Sequence, residues 1–484
     1  MLDFIQHNLW PILLGLNYLT AFVVALFIIS NNRNPIRTIS YILVLITFPF
    51  VGLIVYYFFG TEYRKSKMFQ RKMVFSSPTI KKWEERLKLS TLQLEKLTEN
   101  LLENKIKIVK LVQRNQYKPL VLDNEVKILI NGEEKFKSLY QDLCNAKKHI
   151  HLEYYIIKDD TTGLAFIDII CQKAKQGIQV RLSYDDVGSK LSRKTKQKLS
   201  AAGVEHYPFM PVLFSRLTRK LNYRDHRKIA IIDGEIGYLG GINISDNYAN
   251  LENKTYWRDT HIKVSGDVVK LLQSQFLLNW NFVSKTEIQI TDDFFPEIEK
   301  QGNIPVQLVA SGPDSSFPHI MEALFTAINT ATKQIVITTP YFIPNEQILT
   351  ALTTASRRGV EVQVLIPKQG DTWTATYATN SYIEQLLRSG VKVFRYTKGM
   401  IHAKVMLVDD NFSSIGTSNM DYRSFEINFE INALIYHKET TAKMYEIYHK
   451  DLQDAEMLTL AAWRQRSRTK KIKESFSRLW APLL

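Results

Sequence analysis

The chain has 484 residues, more than one ordinary domain holds, so two or three domains are expected. Apolar residues make up 45% and charged residues 23%, a balance that excludes a disordered chain. The formal net charge of +15 indicates an anionic partner, whether nucleic acid, phospholipid or a phosphorylated substrate. Its two cysteines, Cys144 and Cys171, are too few for a disulfide scaffold or a four-cysteine zinc site.

The first part of the chain, residues 4–61, contains two long stretches without Asp, Glu, Lys or Arg. Roughly 20 helical residues cross a 30 Å hydrocarbon core, so each stretch is long enough. A signal peptide would need a basic start, and a buried core hairpin would need a polar face, and the sequence has neither. We therefore predict two transmembrane helices over about 8–30 and 38–60, with Pro49 and Gly52 tolerated inside the second.

Basic residues beside these helices predict their orientation. Positively charged flanks stay inside, so the larger group marks the cytoplasmic side. The sequence thus predicts a multi-pass protein of the cell membrane with a cytoplasmic C-terminal part, although the connection between the helices also carries basic residues. The connection has two and the second helix is followed by five: Arg33 and Arg37, then Arg64, Lys65, Lys67, Arg71 and Lys72.

Residues 62–120 form a basic linker with apolar residues at mixed helical spacings. This pattern is typical of an amphipathic helix beside the membrane, or of a helix packed on the next domain. Both alternatives stay open. The apolar positions are Trp83, Leu87, Leu92, Leu94, Leu97, Leu101 and Leu102.

Beyond the linker, β-like runs such as 126–130 and 362–366 alternate with helix-like runs, which favours an α/β fold with a largely parallel sheet. The chain also repeats itself, and the order of the repeated features is the same in both parts. This predicts two structural copies, 121–300 and 301–484, each helix–strand–helix–strand. The matching segments are 146–152 with 331–337, 174–180 with 356–362, and 226–233 with 402–409.

Each copy delivers one His-x-Lys segment, His226 with Lys228 and His402 with Lys404. At this composition chance would produce fewer than one such segment followed by an acidic residue. Residues two apart on a strand share a face, so each lysine should point the same way as its histidine.

Polar residues and glycines follow both segments at the same spacing. Asp233 and Asp409 come at odd offsets after an apolar run, so we expect them to anchor strand ends rather than to touch substrate. The glycines that follow permit a tight turn, which should bring Asn243 and Asn419 near the histidine and lysine of their own copy.

The doubled pattern His-x-Lys-x4-Asp-x6-Gly-[Gly/Thr]-x-Asn resembles the phospholipase D superfamily. With the hydrophobic hairpin and segments such as 151–155 and 339–344, the chain is similar to the bacterial cardiolipin synthases. Gly241 and Thr417 depart from the serine common after the motif glycine, and should still serve a turn. The resemblance implies two pseudo-symmetric α/β halves with mixed sheets flanked by helices. It also implies a catalytic set of His226, Lys228, Asp233, His402, Lys404 and Asp409.

The resemblance further implies transfer between two phosphatidylglycerols, giving cardiolipin and glycerol without cofactor or metal. His226 would attack phosphorus to form a phosphohistidine, and His402 would protonate the leaving alkoxide. Lys228, Lys404, Asn243 and Asn419 would donate hydrogen bonds to the phosphoryl oxygens. Alternatives are a phospholipase D-type hydrolase, transfer on other phospholipids, a membrane-anchored nuclease and a non-enzymatic scaffold.

Each histidine needs an acceptor that orients its second ring nitrogen. Asp259 and Glu430 are the candidates, and they follow the motif histidines by 33 residues (226 to 259) and 28 residues (402 to 430). An ordinary ion pair at a strand end is the alternative for each carboxylate.

The run His149-x-His151-x-Glu153 would place three possible zinc ligands on one strand face. No fourth ligand is evident, so we do not expect a metal, and Glu153 is a candidate residue lining the site.

A basic tail runs from Arg464 to Lys473 and is followed by Phe476, Leu479 and Trp480. It is either a solvated charged helix or a segment attracted to anionic headgroups. Basic patches suit nucleic acid equally well, but the motif resemblance predicts a phospholipid partner and no nucleic acid.

Overall fold

A computed structural model describes most of the chain. The described residues are 8–30, 35–59, 85, 87, 89, 97, 102–116, 118–211, 223–251, 255–286, 288–297 and 302–481. They fall into two compact units, an N-terminal one within the first 63 residues and a second one that holds both motif copies.

The described residues of the N-terminal unit form the helices α1 (Leu9–Ser30), α2 (Pro35–Thr47) and α3 (Val51–Phe59). Within the described residues, α1 alone is long and apolar enough to cross a membrane, with a mean hydropathy of 2.5. The second predicted span is not one helix, because the chain turns between α2 and α3.

Local chemistry explains this break. Pro49 lacks the N–H that a continuous helix would use, and Phe50 adopts a left-handed φ of 63°. The side chain of Asn17, buried in α1, accepts a hydrogen bond from the Phe50 N–H at 2.9 Å and so satisfies the turn. Pro49 therefore ends a helix here rather than being tolerated inside one.

In the second unit, one mixed sheet is built from the first motif copy, in the order β1-β8-β6-β5-β2-β3-β4. Strands β2, β3 and β4 run parallel, and the remaining neighbours pair antiparallel. The described strands of this copy are β1 (Asn124–Ile130), β2 (His149–Tyr154), β3 (Gln179–Asp185), β4 (Glu205–Phe209), β5 (Lys228–Ile232), β6 (Ile236–Gly240), β7 (Tyr256–Arg258) and β8 (Thr260–Gly266).

The second motif copy builds a sheet in the equivalent order, β9-β18-β16-β15-β10-β12-β13, with β19 added at one edge. This equivalence confirms the two-half α/β fold with mixed sheets, and the expectation of a largely parallel sheet is wrong. Its described strands are β9 (Val306–Ser311), β10 (Gln334–Thr338), β11 (Phe342–Ile343), β12 (Glu361–Pro367), β13 (Lys392–Tyr396), β14 (Gly399–Ile401), β15 (Val405–Val408), β16 (Phe412–Gly416), β17 (Met420–Asp421), β18 (Glu430–Ile435) and β19 (Ala455–Met457).

Helices flank both sheets. Capping side chains set several of their starts, as where Asp160 accepts from the Gly163 N–H and Asn345 from the Ile348 N–H. The described helices are α4 (Ile106–Gln116), α5 (Asn131–Asn145), α6 (Thr161–Lys175), α7 (Arg193–Ala201), α8 (Asp246–Ala249), α9 (Asp267–Ser284), α10 (His319–Asn329), α11 (Glu346–Arg357), α12 (Trp373–Arg388), α13 (Tyr422–Glu426), α14 (Lys438–Gln453), α15 (Leu460–Arg464) and α16 (Arg468–Leu479).

The two halves share a buried core. Residues from both central motif strands, such as Ile231 of β5 and Leu407 of β15, belong to one apolar cluster together with side chains of α9 and α14. Because burial of apolar area is the main favourable term in folding, this cluster holds the two motif copies against each other.

The end of the linker packs on the second half. Ile108, Val109 and Val112 of α4 are buried in the core cluster of that half, so residues 106–116 form a packed helix rather than one lying beside a membrane. The expected apolar positions Trp83, Leu92, Leu94 and Leu101 lie outside the described residues, as do the basic residues Arg33, Arg64, Lys65, Lys67, Arg71 and Lys72.

The motif aspartates lie at the far ends of their strands from the histidines. Asp233 accepts hydrogen bonds from the backbone N–H groups of residues 147–149 at 2.7–3.0 Å. Asp409 does the same for residues 332–334 and also pairs with the buried Lys105 at 2.7 Å. Both carboxylates join strand ends, and their position argues against the direct catalytic part that the family motif suggests for them.

This difference between the halves predicts unequal stability effects. Asp409→Asn should lower the free energy of unfolding by about 3 kcal/mol, since it leaves the Lys105 ammonium buried without its counter-charge. The matched variant Asp233→Asn should cost about 1 kcal/mol, because it weakens hydrogen bonds to backbone alone. Denaturant unfolding of the purified protein measures both. Lys105→Met should recover most of the Asp409→Asn loss, and equal losses in the two aspartate variants would contradict this account.

Candidate active site

The two motif histidines precede their strands and are fixed by backbone bonds to the opposite half. The His226 N–H donates to the carbonyl of Phe429 at 3.0 Å, and the His402 N–H donates to the carbonyl of Arg258 at 2.7 Å. Parallel pairing of β14 with β7 extends the second contact. Each histidine therefore lies beside the residue that precedes a candidate carboxylate of the other half.

The carboxylate pairs are crossed between the halves. His226 Nδ1 lies 2.9 Å from Oε1 and 3.0 Å from Oε2 of Glu430, while His402 Nδ1 lies 2.7 Å from Oδ2 of Asp259. Both carboxylates are buried. Neither histidine is paired with the carboxylate that follows it in its own copy, although spacing along the chain would suggest that pairing.

Gly241 and Thr417 stand where the family commonly has serine, and each has its own contact with a candidate carboxylate. The Thr417 hydroxyl donates to Glu430 at 2.5 Å, adding a hydrogen bond to the carboxylate that holds His226. Gly241 lies against Asp259, and a Cβ there would come within 2.2 Å of its carboxylate oxygen. A turn alone does not account for either residue.

The motif lysines converge on the same centre. Lys404 Nζ lies 2.9 and 3.0 Å from the two ring nitrogens of His402, and Lys228 donates to the carbonyl oxygen of His226. Both side chains are buried. The two ammonium groups are close enough that Lys404 lowers the pKa of Lys228. Two imidazoles and two cations thus surround one point, as a phosphodiester anion requires.

Burial keeps both histidines neutral. It lowers the pKa of His226 to about 4, against the opposing charge of Glu430. It lowers the pKa of His402 to about 4 as well, and there the neighbouring Lys404 adds to the effect. Either imidazole is therefore unprotonated near neutral pH, as a nucleophile must be.

The other charged groups respond to the same environment. Burial lowers the pKa of Lys228 to about 7 and that of Lys404 to about 8. Burial alone would raise the pKa of Glu430, but His226, Lys228 and the Thr417 hydroxyl outweigh it, so this pKa is lower than usual. Glu430 is thus a stable carboxylate partner for His226.

Aromatic rings frame the histidines, and the sequence analysis did not identify them as site residues. Tyr155 lies edge-on to His226 with ring centroids 4.8 Å apart. Trp257 and Tyr248 contact the ring of His402 at 5.3 and 5.4 Å. Tyr155 belongs to the segment 151–155, on which the family resemblance partly rests, and Trp257 lies two residues before the candidate Asp259.

The two motif asparagines differ in their surroundings. Asn243 Oδ1 accepts from the Ile156 N–H at 3.1 Å, and its Nδ2 donates to the Tyr248 hydroxyl at 2.7 Å. Asn419 is buried, and its Oδ1 has no hydrogen-bond partner within the described part of the chain. Asn243 therefore helps to hold Tyr248 against His402, beside any contact it makes with substrate.

Glu153 lies behind the motif and pairs with its intervening residue. Arg227, between His226 and Lys228, places its guanidinium 3.3 Å from the Glu153 carboxylate and 3.4 Å from the Glu430 carbonyl. Arg227 is a buried link between the halves that the sequence analysis missed. Glu153 therefore contacts the motif through Arg227.

The histidines near Glu153 have structural partners. His151 contacts Gln273 through Nδ1, and both His149 and His151 pack against Phe294. Across the described ranges, no three His, Cys, Asp or Glu side chains are arranged to hold a metal ion.

The two sheets and the doubled histidine–lysine centre define a phospholipase D-like protein, and comparison with known proteins narrows this class. A family model described as "Cardiolipin synthase, PLD-like domain" matches residues 139–280 and 324–452. A second, "Phospholipase_D-nuclease N-terminal", matches residues 20–60.

Curated relatives match almost the whole chain. A cardiolipin synthase of Geobacillus sp. (strain WCH70) is 40% identical over 99% of this chain and 96% of its own length. One of Geobacillus kaustophilus is 40% identical over 95% of this chain and 91% of its own. The chain belongs to the cardiolipin synthase family of phospholipase D-like phosphatidyltransferases.

A solved structure supports the fold. Phosphatidylserine synthase of Haemophilus influenzae Rd KW20 superposes with a TM-score of 0.61 and 15% identity, covering 78% of this chain and all of that one. At this identity the likeness concerns the fold alone.

The lysine pKa values predict how phosphatidyl transfer depends on pH. The ammonium forms neutralise the phosphoryl group, so kcat/KM should fall as pH rises through the lysine pKa values of about 7 and 8. Because the two lysines interact, the two apparent values belong to the pair. A pH profile of kcat/KM in a constant-ionic-strength buffer measures this limb. Activity that stays level until pH 10, near the ordinary lysine pKa, would contradict it.

Proposed function

We propose that this phosphatidyltransferase joins two phosphatidylglycerol molecules into cardiolipin and releases glycerol, with His226 as the nucleophile. The observation that carries the proposal is the crossed pair of carboxylate-oriented imidazoles around one centre. In a double displacement through a covalent intermediate, one imidazole serves as nucleophile and the other as acid and base, and the two carboxylate-oriented imidazoles fit these two roles.

In the first step, Nε2 of His226 attacks phosphorus of one phosphatidylglycerol. A P–N bond forms and the bond between phosphorus and the glycerol oxygen breaks. Glu430 accepts from Nδ1 at 2.9 Å, which directs the lone pair of Nε2 toward substrate and stabilises the cation that develops on the ring. His402, held by Asp259, gives its proton to the departing glycerol oxygen.

In the second step, a hydroxyl of another phosphatidylglycerol attacks the phosphohistidine. His402, now neutral, takes the hydroxyl proton, the P–N bond breaks and cardiolipin leaves. One phosphodiester is exchanged for another in the whole sequence, so the transfer needs no nucleotide. A neutral His402 must gain a proton before the first step, and the anionic diester beside it favours that protonation.

The buried cations stabilise the charge that builds on the phosphoryl oxygens. Lys228 and Lys404 act in a site with little water, where a charged hydrogen bond is stronger than in solvent. We also propose that Asn243 and Asn419 donate to these oxygens, as the family motif implies. We assign Asp233 and Asp409 to the support of the motif strands.

The proposal places both reactants in the membrane. It treats α1 as a membrane crossing, because α1 is long and apolar enough and the family model for the N-terminal region spans 20–60. The shorter helices α2 and α3 fold back on each other, with the rings of Tyr41 and Tyr56 5.7 Å apart, so they are not proposed as a second straight crossing. The catalytic part would face the cytoplasm and an anionic membrane surface, which the net charge of +15 suits. Nucleic acid is not a proposed partner.

Reaction products test this function. Purified protein in detergent with phosphatidylglycerol should form cardiolipin and free glycerol in equal amounts, and a chelator should leave the rate unchanged. Lipid analysis and a glycerol assay on the same sample measure the ratio. Lys404→Met, which keeps much of the side-chain volume but removes the charge, is a control that should abolish both products. Phosphatidic acid as the dominant product would indicate hydrolysis and would contradict the proposal.

A further inference from the structure

The helix near the C-terminus, α16, has an inverted distribution of polar and apolar side chains. Glu474 and Ser477 are turned into the protein and are 4% and 1% exposed. Ile472, Phe476 and Leu479 are 67%, 53% and 76% exposed. Residues four and three apart share a helix face, so these three form one outward stripe opposite the packed face. A soluble helix would show the reverse pattern.

The contacts of α16 explain how it is held in this orientation. Glu474 pairs with Arg466 at 2.8 Å, which satisfies the buried carboxylate. On the same side, Arg478 lies over the ring of Tyr382, and Lys473 lies 5.8 Å from the ring centroid of Tyr377, both in α12. The outward stripe is therefore a fixed feature of the folded unit.

Basic residues border the stripe. Lys473 lies on one flank and Lys471 and Arg478 on the other, by the 3.6-residue repeat. Trp480, 48% exposed, continues the apolar surface at the end of the helix. Basic side chains around an apolar face are typical of a helix that lies in the plane of an anionic bilayer. The bordering basic residues and the apolar stripe therefore both fit an anionic bilayer.

This surface adjoins the active site through α12. That helix begins at Trp373, which is 59% exposed, and Asp371 just before it accepts a hydrogen bond from Tyr341 at 2.6 Å. Burial lowers the pKa of Lys404, and Asp371 is one of the nearby carboxylates that oppose this effect. A membrane contact along α16 and the start of α12 would bring the rim of the site to the lipid surface.

We propose that the stripe of Ile472, Phe476 and Leu479, with Trp480 and the bordering basic residues, inserts into the headgroup–acyl boundary of an anionic bilayer. This docking deepens the proposed function, because it would present the site to lipid substrate. It is separate from membrane crossing by α1. Insertion itself needs no turnover, so it can be tested apart from the reaction.

A depth measurement tests the proposal on the full chain. Cys144→Ala removes the exposed native cysteine, and Cys171 is buried. In this background Phe476→Cys carries a fluorophore, and the protein is reconstituted into vesicles of phosphatidylglycerol and phosphatidylcholine with brominated acyl chains. The matched control is Leu164→Cys on α6, which replaces another exposed apolar helix residue.

Bromolipid should quench the label at 476 by about twofold or more, because an interfacial helix reaches roughly 5–10 Å into the boundary. Aqueous iodide should quench the label at 164 instead. Iodide quenching at 476 equal to that at 164 would overturn the proposal. Protection of 476 from both quenchers would also overturn it, since that result would show a protein segment or a second copy on the stripe.

An activity measurement provides a second test of the docking. A triple variant with Ile472→Ser, Phe476→Ser and Leu479→Ser should be about tenfold slower than the parent chain on phosphatidylglycerol in vesicles, because its apolar contact with the bilayer is removed. Its rate on a soluble, monomeric short-chain phosphatidylglycerol should match that of the parent chain. An equal loss on both substrates would show damage to the fold and count against docking. If the parent makes no cardiolipin, the proposed function fails while the quenching result still decides the docking.

Discussion

The crossed histidine–carboxylate pairs are the interaction on which the rest of the site depends. His226 is oriented by Glu430 of the second half, and His402 by Asp259 of the first. In this arrangement each half supplies the carboxylate that orients the motif histidine of the other. Backbone bonds from His226 to Phe429 and from His402 to Arg258 set these distances, and the shared apolar core holds the two sheets that carry them. Both halves are therefore needed to orient the two motif histidines.

The same arrangement explains the electrostatics of the site. Burial of a charged group in protein costs several kcal/mol unless partners offset it. Here burial lowers the pKa of both histidines and both motif lysines, while the two carboxylates lie within the same centre. With both histidines neutral, the two lysines and the two carboxylates balance in charge, so a bound phosphodiester adds one negative charge that protonation of His402 can offset. Meanwhile Thr417 and Arg227 hold Glu430 in place.

Several features of the fold and the site could be predicted from the sequence, because each shows as a pattern over a short stretch of the chain. The repeated His-x-Lys segments, the residue types of Asp259 and Glu430, and the strand-end position of Asp233 need local pattern alone. The crossing could not be predicted, since it depends on how two distant segments pair. The break at Pro49 depends on Asn17, far away in the chain, which satisfies the turn. Alternation of elements wrongly predicted a largely parallel sheet, because it reports element order and not strand direction, whereas the family resemblance implied the mixed sheets that the structure has.

Trapping of the phosphoenzyme tests the crossed site most directly. A phosphatidyl ester with a p-nitrophenol leaving group needs no general acid, so it isolates attack by His226. With this substrate, Asp259→Asn should form phosphohistidine at nearly the rate of the parent chain, with the phosphoryl group mapping to His226. Glu430→Gln should slow its formation by about 10²–10⁴-fold, since it removes the carboxylate that orients the nucleophile. The reverse result, with Asp259→Asn defective and Glu430→Gln competent, or a phosphoryl group on His402, would contradict the account.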